Sequence, residues 1–164
     1  MDLDLSRYIR DRFDIEEIDI RTYSPLTLAY IGDGIFDLVI RTLVVSKGNT
    51  KANVLHARTS HIVRAESQAR LLEAVEGMLS DEELAVYRRG RNAKSATTAK
   101  NASVREYRIA TGYEALLGFL YLEGRMERLT DIVEEGLKQV FGDAIIEMEG
   151  SSAEEDEGKG ADYA

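Results

Sequence analysis

The sequence predicts a single all-α domain. Apolar residues recur every three to four positions in several segments, and those segments open on recognisable helix N-caps. No stretch shows the period-two alternation of a half-buried strand, and no internal repeat is present. With 44% hydrophobic residues over 164 positions, the chain can fill one core, and no second folded domain is expected.

The first long helix is predicted from Pro25 to about Ser46. Ser24 supplies the N-cap, and Pro25, the only proline of the chain, takes the first helical position, where a missing N–H costs nothing. The stretch "SKGNT" ends this helix, with Gly48 as the stop and Asn49 or Thr50 as the cap of the next. From Lys51 to Glu76 the positions Val54, Leu55, Ile62, Ala65, Ala69 and Leu72 keep helical spacing, with a break near Arg64. "SDEE" from Ser80 is a capping box that opens a short helix through about Arg89. The run "RRGRNAKSATTAKNAS" then loses periodicity and reads as an exposed loop. Ser103 with Glu106 is a second capping box, opening a helix that contains "ATGYEALLGFLYLEGR". Gly124 turns the chain into a last amphipathic helix, Met126 to about Phe141. Beyond Glu147 the composition is acidic and almost without hydrophobes, so residues 1–146 are expected to form the domain and 147–164 a disordered tail.

Composition excludes several chemistries. Zero cysteines remove disulfides, thiolate catalysis and cysteine metal sites, so a metal would have to sit on oxygen or histidine. The N-terminal residues lack the basic start and apolar run of a signal peptide, and nothing reaches membrane-spanning length; the expected location is the cytoplasm, with no membrane partner. The net charge of −9 argues against nucleic acid until its distribution is considered. Residues 88–108 hold seven cations against Glu106 alone, a local charge of +6 in an otherwise strongly acidic chain. The basic residues Arg88, Arg89, Arg91, Lys94 and Lys100 alternate with Asn92, Ser95, Thr97, Thr98 and Asn101, donors suited to phosphate and ribose oxygens. A solubilising surface loop would have the same charge without needing that interleaving.

Two acids stand out. In "LAYIGDGIFDLVIR", Asp33 lies between Gly32 and Gly34 on an otherwise apolar helix, where each glycine costs about 1 kcal/mol relative to alanine. In the helix from Ser103, Glu114 is likewise alone among Tyr113, Ala115, Leu116 and Leu117, with Gly112 and Gly118 nearby. A lone acid on a helix face is ordinarily solvated or capping. If the two helices pack side by side, however, small residues let their backbones approach and the two carboxylates could converge. Such a pair suits Mg²⁺ or Mn²⁺, ions held by one or two carboxylates together with waters and phosphates. Asp37 could join as an accessory, although Arg41 four residues on favours a salt bridge. His56 and His61, five apart, are poorly placed to share a metal from one helix face; packing or an RNA-side contact suits them better, with His56 kept as an accessory candidate beside Asp37. Tyr113, Phe119 and Tyr121 read as core.

Together, "LTLAYIGDGIFDLVIRTLV", "RRGRNAKSATTAKNA" and "YRIATGYEALLGFLYLEGR", in that order and spacing, closely resemble the Mini-ribonuclease III family, bacterial relatives of ribonuclease III without a double-stranded-RNA-binding domain. The likeness covers about residues 24–141. It aligns Asp33 with the signature aspartate and Glu114 with the signature glutamate. Larger ribonuclease III enzymes carry a further acid at the positions of Ala29 and Thr111, so this reduced pattern implies one Mg²⁺ per subunit over two. The resemblance implies a ribonuclease III-like homodimer that hydrolyses double-stranded RNA to 5′ phosphate and 3′ hydroxyl ends. It further implies trimming of the 23S ribosomal RNA precursor, with a large-subunit ribosomal protein assisting. The alternative, kept open by Ala29 and Thr111, is a noncatalytic ribonuclease III-like module that binds RNA or the ribosome.

Overall fold

The computed structural model describes residues 3–94 and 103–142, and among them the chain is helical with no strand. The helices are α1 (Leu5–Arg12), α2 (Pro25–Val45), α3 (Ala52–Val63), α4 (Ala65–Val75), α5 (Asp81–Asn92), α6 (Val104–Leu122) and α7 (Met126–Phe141). Single 3₁₀ turns lie at Ile20–Thr22 and Glu76–Met78. The acidic stretch after Glu147, and Ser95, Thr97, Thr98, Lys100 and Asn101 of the basic run, lie outside the described residues.

The predicted signals set most helix ends. Ser24 Oγ accepts from the Thr27 N–H at 3.2 Å, with Pro25 at the first helical position of α2. Gly48, at φ +125°, takes a left-handed conformation that side-chain-bearing residues rarely adopt, just past the end of α2. In α5 both halves of the capping box are made: Ser80 Oγ accepts from the Glu83 N–H, and Glu83 Oε1 accepts from the Ser80 N–H. At the start of α6 Ser103 Oγ accepts from the Glu106 N–H, but the Glu106 carboxylate takes the Ser103 hydroxyl instead of its backbone N–H.

One expectation changes. Neither Asn49 nor Thr50 caps α3, because the helix begins at Ala52 with Lys51 at the N-cap and no side-chain cap bond. The Lys51 carbonyl accepts from Val54 and Leu55, and the Asn53 side chain bonds the Val54 N–H instead. Ahead of the first long helix, α1 also forms, capped by Asp4 accepting from the Arg7 N–H at 2.9 Å. The break near Arg64 is real: extended backbone there (ψ 154°) separates α3 from α4.

Helix α6 is the centre of the molecule. Tyr113, Ala115, Leu116, Leu117 and Leu120 are fully buried, the pattern of a helix covered on nearly every side. Helices α2, α4 and α5 pack directly on it, and α7 closes the core over α4. Phe36 of α2 meets the Tyr113 ring edge-on, with centroids 5.5 Å apart. Tyr113, Phe119 and Tyr121 are all buried, as core residues should be.

Candidate active site

The glycines beside the two acids explain how α2 and α6 meet. A Cβ placed on Gly32 would stand 1.7 Å from the backbone carbonyl oxygen of Glu114, and one on Gly118 would stand 1.9 Å from that of Leu28. Neither position can carry a side chain while the helices keep this crossing. Helix packing through side chains holds axes about 8–10 Å apart, and here backbone rests on backbone. On the opposite flank, a Cβ on Gly112 would meet the Tyr87 ring at 2.6 Å, and one on Gly90 would meet the Ala115 Cβ at 2.7 Å. Glu114 therefore sits on a helix clasped closely by α2 and by α5. Gly34 is different. Nothing lies within 4 Å of its added Cβ, so packing within the chain does not require it.

The crossing brings the two carboxyls into electrostatic contact. Asp33 lies on the exposed face of α2, and Glu114 is largely buried. Burial, with a smaller contribution from Asp37, raises the Asp33 pKa. Burial and then the Asp33 charge push the Glu114 carboxyl up to about 8, and the side-chain amide of Gln68, hydrogen-bonding to it, acts in the opposite sense. Asp33 ionises first, and its charge then holds the proton on Glu114. With its pKa pushed up to about 8, Glu114 keeps its proton at neutral pH.

Among the described residues, no group of three or more His, Cys, Asp or Glu is placed to hold a metal. The Asp33 and Glu114 side chains carry oxygen donors only, the chemistry that suits Mg²⁺ or Mn²⁺ retaining several waters. Asp37 is engaged elsewhere: its Oδ2 accepts from Arg41 Nε at 2.7 Å, so it bears on Asp33 through its charge. His56 lines a small recess with Arg41, Val44 and Thr59 that neither Asp33 nor Glu114 lines. His61 packs edge-on to Phe141 at 5.6 Å.

The described part of the basic run closes α5. Arg88, Arg89, Asn92 and Lys94 are exposed. Arg91 is half-buried, its guanidinium 5.5 Å from the Tyr87 ring centroid and its Nε donating to Asn92. A recess of about 470 Å³ at the end of α5 and the start of α6 is lined by Arg91, Asn92, Arg105 and Arg108 with Glu73 and Glu76, and Arg105 pairs with Glu73 at 2.8 Å.

Sequence reasoning passed over Gln68. The signal was present, because Ala65, Gln68, Ala69 and Leu72 share the i, i+3, i+4, i+7 spacing of a core-facing stripe. A polar residue on such a stripe requires a partner, and Gln68 is 1% exposed.

Comparison with known proteins places the chain in a family. The Ribonuclease III domain family matches residues 26–125, a span that contains both acids and the basic run. Mini-ribonuclease 3 of Enterococcus faecalis is 48% identical over 124 residues, covering 74% of this chain and 94% of that protein. Mini-ribonuclease 3 of Thermoanaerobacter sp. is 49% identical over 115 residues, 70% of this chain and 81% of that one. A crystal structure of a Fusobacterium nucleatum protein superimposes with a TM-score of 0.68 at 30% identity, covering 75% of this chain and 98% of the other.

Proposed function

Because the chain belongs to the Mini-ribonuclease 3 family and is a ribonuclease III-type endoribonuclease, we propose that it cuts double-stranded RNA with Mg²⁺ held by Asp33 and Glu114. The observation that carries this reading is the forced approach of the two acids at the Gly32–Gly118 crossing, where burial and the Asp33 charge keep Glu114 protonated until a cation takes the proton's place. Mn²⁺ fits the same donors. When bound, the ion would supply charge neutralisation at the phosphodiester and acidify a water. Asp33, exposed at the rim, faces the substrate side, whereas Glu114 closes the inner side. Hydrolysis to 5′ phosphate and 3′ hydroxyl ends forms a bond from water oxygen to phosphorus, breaks the bond from phosphorus to O3′ and delivers a proton to O3′.

Duplex binding falls to the end of α5, where Arg88, Arg89, Asn92 and Lys94 stand in solvent, continued by the run through Asn101. A-form RNA is read by shape, phosphates and 2′-hydroxyls, which matches cations interleaved with short polar donors. The acting unit in this reading is a homodimer, supported by large apolar side chains exposed on α2: Tyr30 at 82% and Leu38 at 52%. The natural substrate is the 23S ribosomal RNA precursor, processed in the cytoplasm with a large-subunit ribosomal protein assisting, an assignment that rests on the family likeness alone.

Incubating the protein with a long perfect RNA duplex in Mg²⁺ or in EDTA, with single-stranded RNA and Asp33→Asn alongside, tests this. Discrete Mg²⁺-dependent cuts in duplex only, reduced at least about 100-fold in the variant, are expected. Binding without metal-dependent cuts would favour a noncatalytic RNA-binding module, and wild-type turnover by Asp33→Asn would remove the carboxylate pair from the mechanism.

A further inference from the structure

Gln68 lies on α4, which packs against the α6 helix that carries Glu114, and its own side chain is almost wholly enclosed. Its Nε2 donates to the Val63 carbonyl, the last residue of α3, at 2.8 Å. That carbonyl can only accept, so it fixes which end of the amide is nitrogen. The amide also bears on the Glu114 carboxyl, favouring its charged form. Oε1 is buried with no hydrogen-bond partner among the described residues.

A buried amide oxygen without a donor weakens a fold, and an apolar side chain of the same size would avoid it. The α3–α4 corner does not need this amide, because Ser67 Oγ already ties it by donating to the His61 carbonyl at 2.7 Å. What an apolar residue could not replace is the polar influence on Glu114, which favours its charged form.

We propose that Gln68 is a positioning residue for RNA cleavage: anchored to the Val63 carbonyl, its amide holds the Glu114 carboxyl in the orientation that receives the divalent cation, and its free Oε1 is an acceptor available to a water at that site. The inference rests on the assignment of Asp33 and Glu114 as the cation-holding pair. Groups that support a ligand from behind set its affinity, and losing one typically costs about 10- to 100-fold.

The test uses the full chain with MnCl₂ as probe. Mn²⁺ binding is followed by electron paramagnetic resonance for the wild type, Gln68→Met, Gln68→Leu and Asp33→Asn, each with a thermal melt in EDTA, and the Mg²⁺ dependence of duplex cleavage is measured for the same proteins. Gln68→Met should melt as a folded protein, bind Mn²⁺ at least about tenfold more weakly, and need correspondingly more Mg²⁺ for half-maximal cleavage, with excess Mg²⁺ restoring much of the rate. A merely structural role would lower the melting temperature and leave the metal dependence where it was. Unchanged Mn²⁺ affinity in a folded Gln68→Met or Gln68→Leu overturns the proposal while the wild type still binds. If both variants fail to fold, the amide serves the α3–α4 corner and the proposal falls. If the wild type itself binds no Mn²⁺, or Asp33→Asn binds as well as wild type, the carboxylate assignment fails, and this inference with it.

Discussion

Glu114→Gln should stabilise the protein in the absence of metal, and by an amount that grows with pH. The folded chain keeps a proton on Glu114 up to about pH 8, whereas the unfolded chain releases it near 4.5. Between those values the folded state binds more protons than the unfolded state, so wild-type stability falls as pH rises. The contribution is fully present below pH 4.5 and lost by the time pH has passed 8. One pKa unit is about 1.4 kcal/mol, so the full shift would weigh about 4–5 kcal/mol against the metal-free fold above pH 8. Relaxation and water entry at the rim reduce this, giving about 2–4 kcal/mol of pH-dependent difference, or about 6–16 °C in melting temperature for a chain of this size. Thermal melts of wild type and Glu114→Gln in EDTA from pH 4.5 to 9 measure it directly. The gap should be smallest at pH 4.5 and widest above 8, and Mn²⁺ added at pH 8 should narrow it by taking the proton's place on the wild type. A gap that does not change with pH would refute the reasoning, because Glu114 would then be ionising in the folded protein as it does in the unfolded chain.

Three further outcomes follow from the same contacts. Gly32→Ala should cost about 3 kcal/mol or more, since its Cβ would overlap the Glu114 carbonyl, whereas Gly34→Ala should gain up to about 1 kcal/mol of helix propensity; urea unfolding of both compares them, and equal effects would contradict the crossing geometry. Arg128→Ala should cost about 3–5 kcal/mol by leaving Glu83, 2% exposed and now held at a pKa of about 2 chiefly by Arg128, as a buried carboxylate without its cation and with only the Ser80 N–H to satisfy it. Chemical unfolding at pH 7 measures that loss, and the deficit should shrink as pH falls below about 4.5 and the wild-type pair loses its own contribution. Replacing Arg88, Arg89 and Lys94 by Gln should weaken duplex binding and reduce the slope of log affinity against log salt by about 2–3, read by filter binding across a salt series; an unchanged slope would take these cations off the RNA.

What the sequence determined by itself is what local chemistry decides. Ser24 with Pro25, Ser80 with Glu83, and Gly48 specify helix ends through bonds and dihedrals spanning a few residues, so those ends could be read directly. Tyr113, Phe119 and Tyr121 read as core from the sequence and are buried on α6, because a segment apolar on nearly all sides has no stable position in water. Asp33 and Glu114 were singled out because a charge and glycines on an apolar helix contradict the local preference, and such contradictions concentrate at functional sites. The tertiary structure alone decided which contradiction was which. Gly32 is required by a carbonyl 82 residues away in the chain, whereas a side chain added at Gly34, two residues on, would meet nothing within 4 Å. The same holds for Gln68, whose meaning depends on a carboxyl from another helix, and for Arg91, drawn back onto Tyr87 while Arg88 and Arg89 stay in solvent. Caps and periods act over one or two turns, but proximity and desolvation exist only once α2, α4 and α6 have packed.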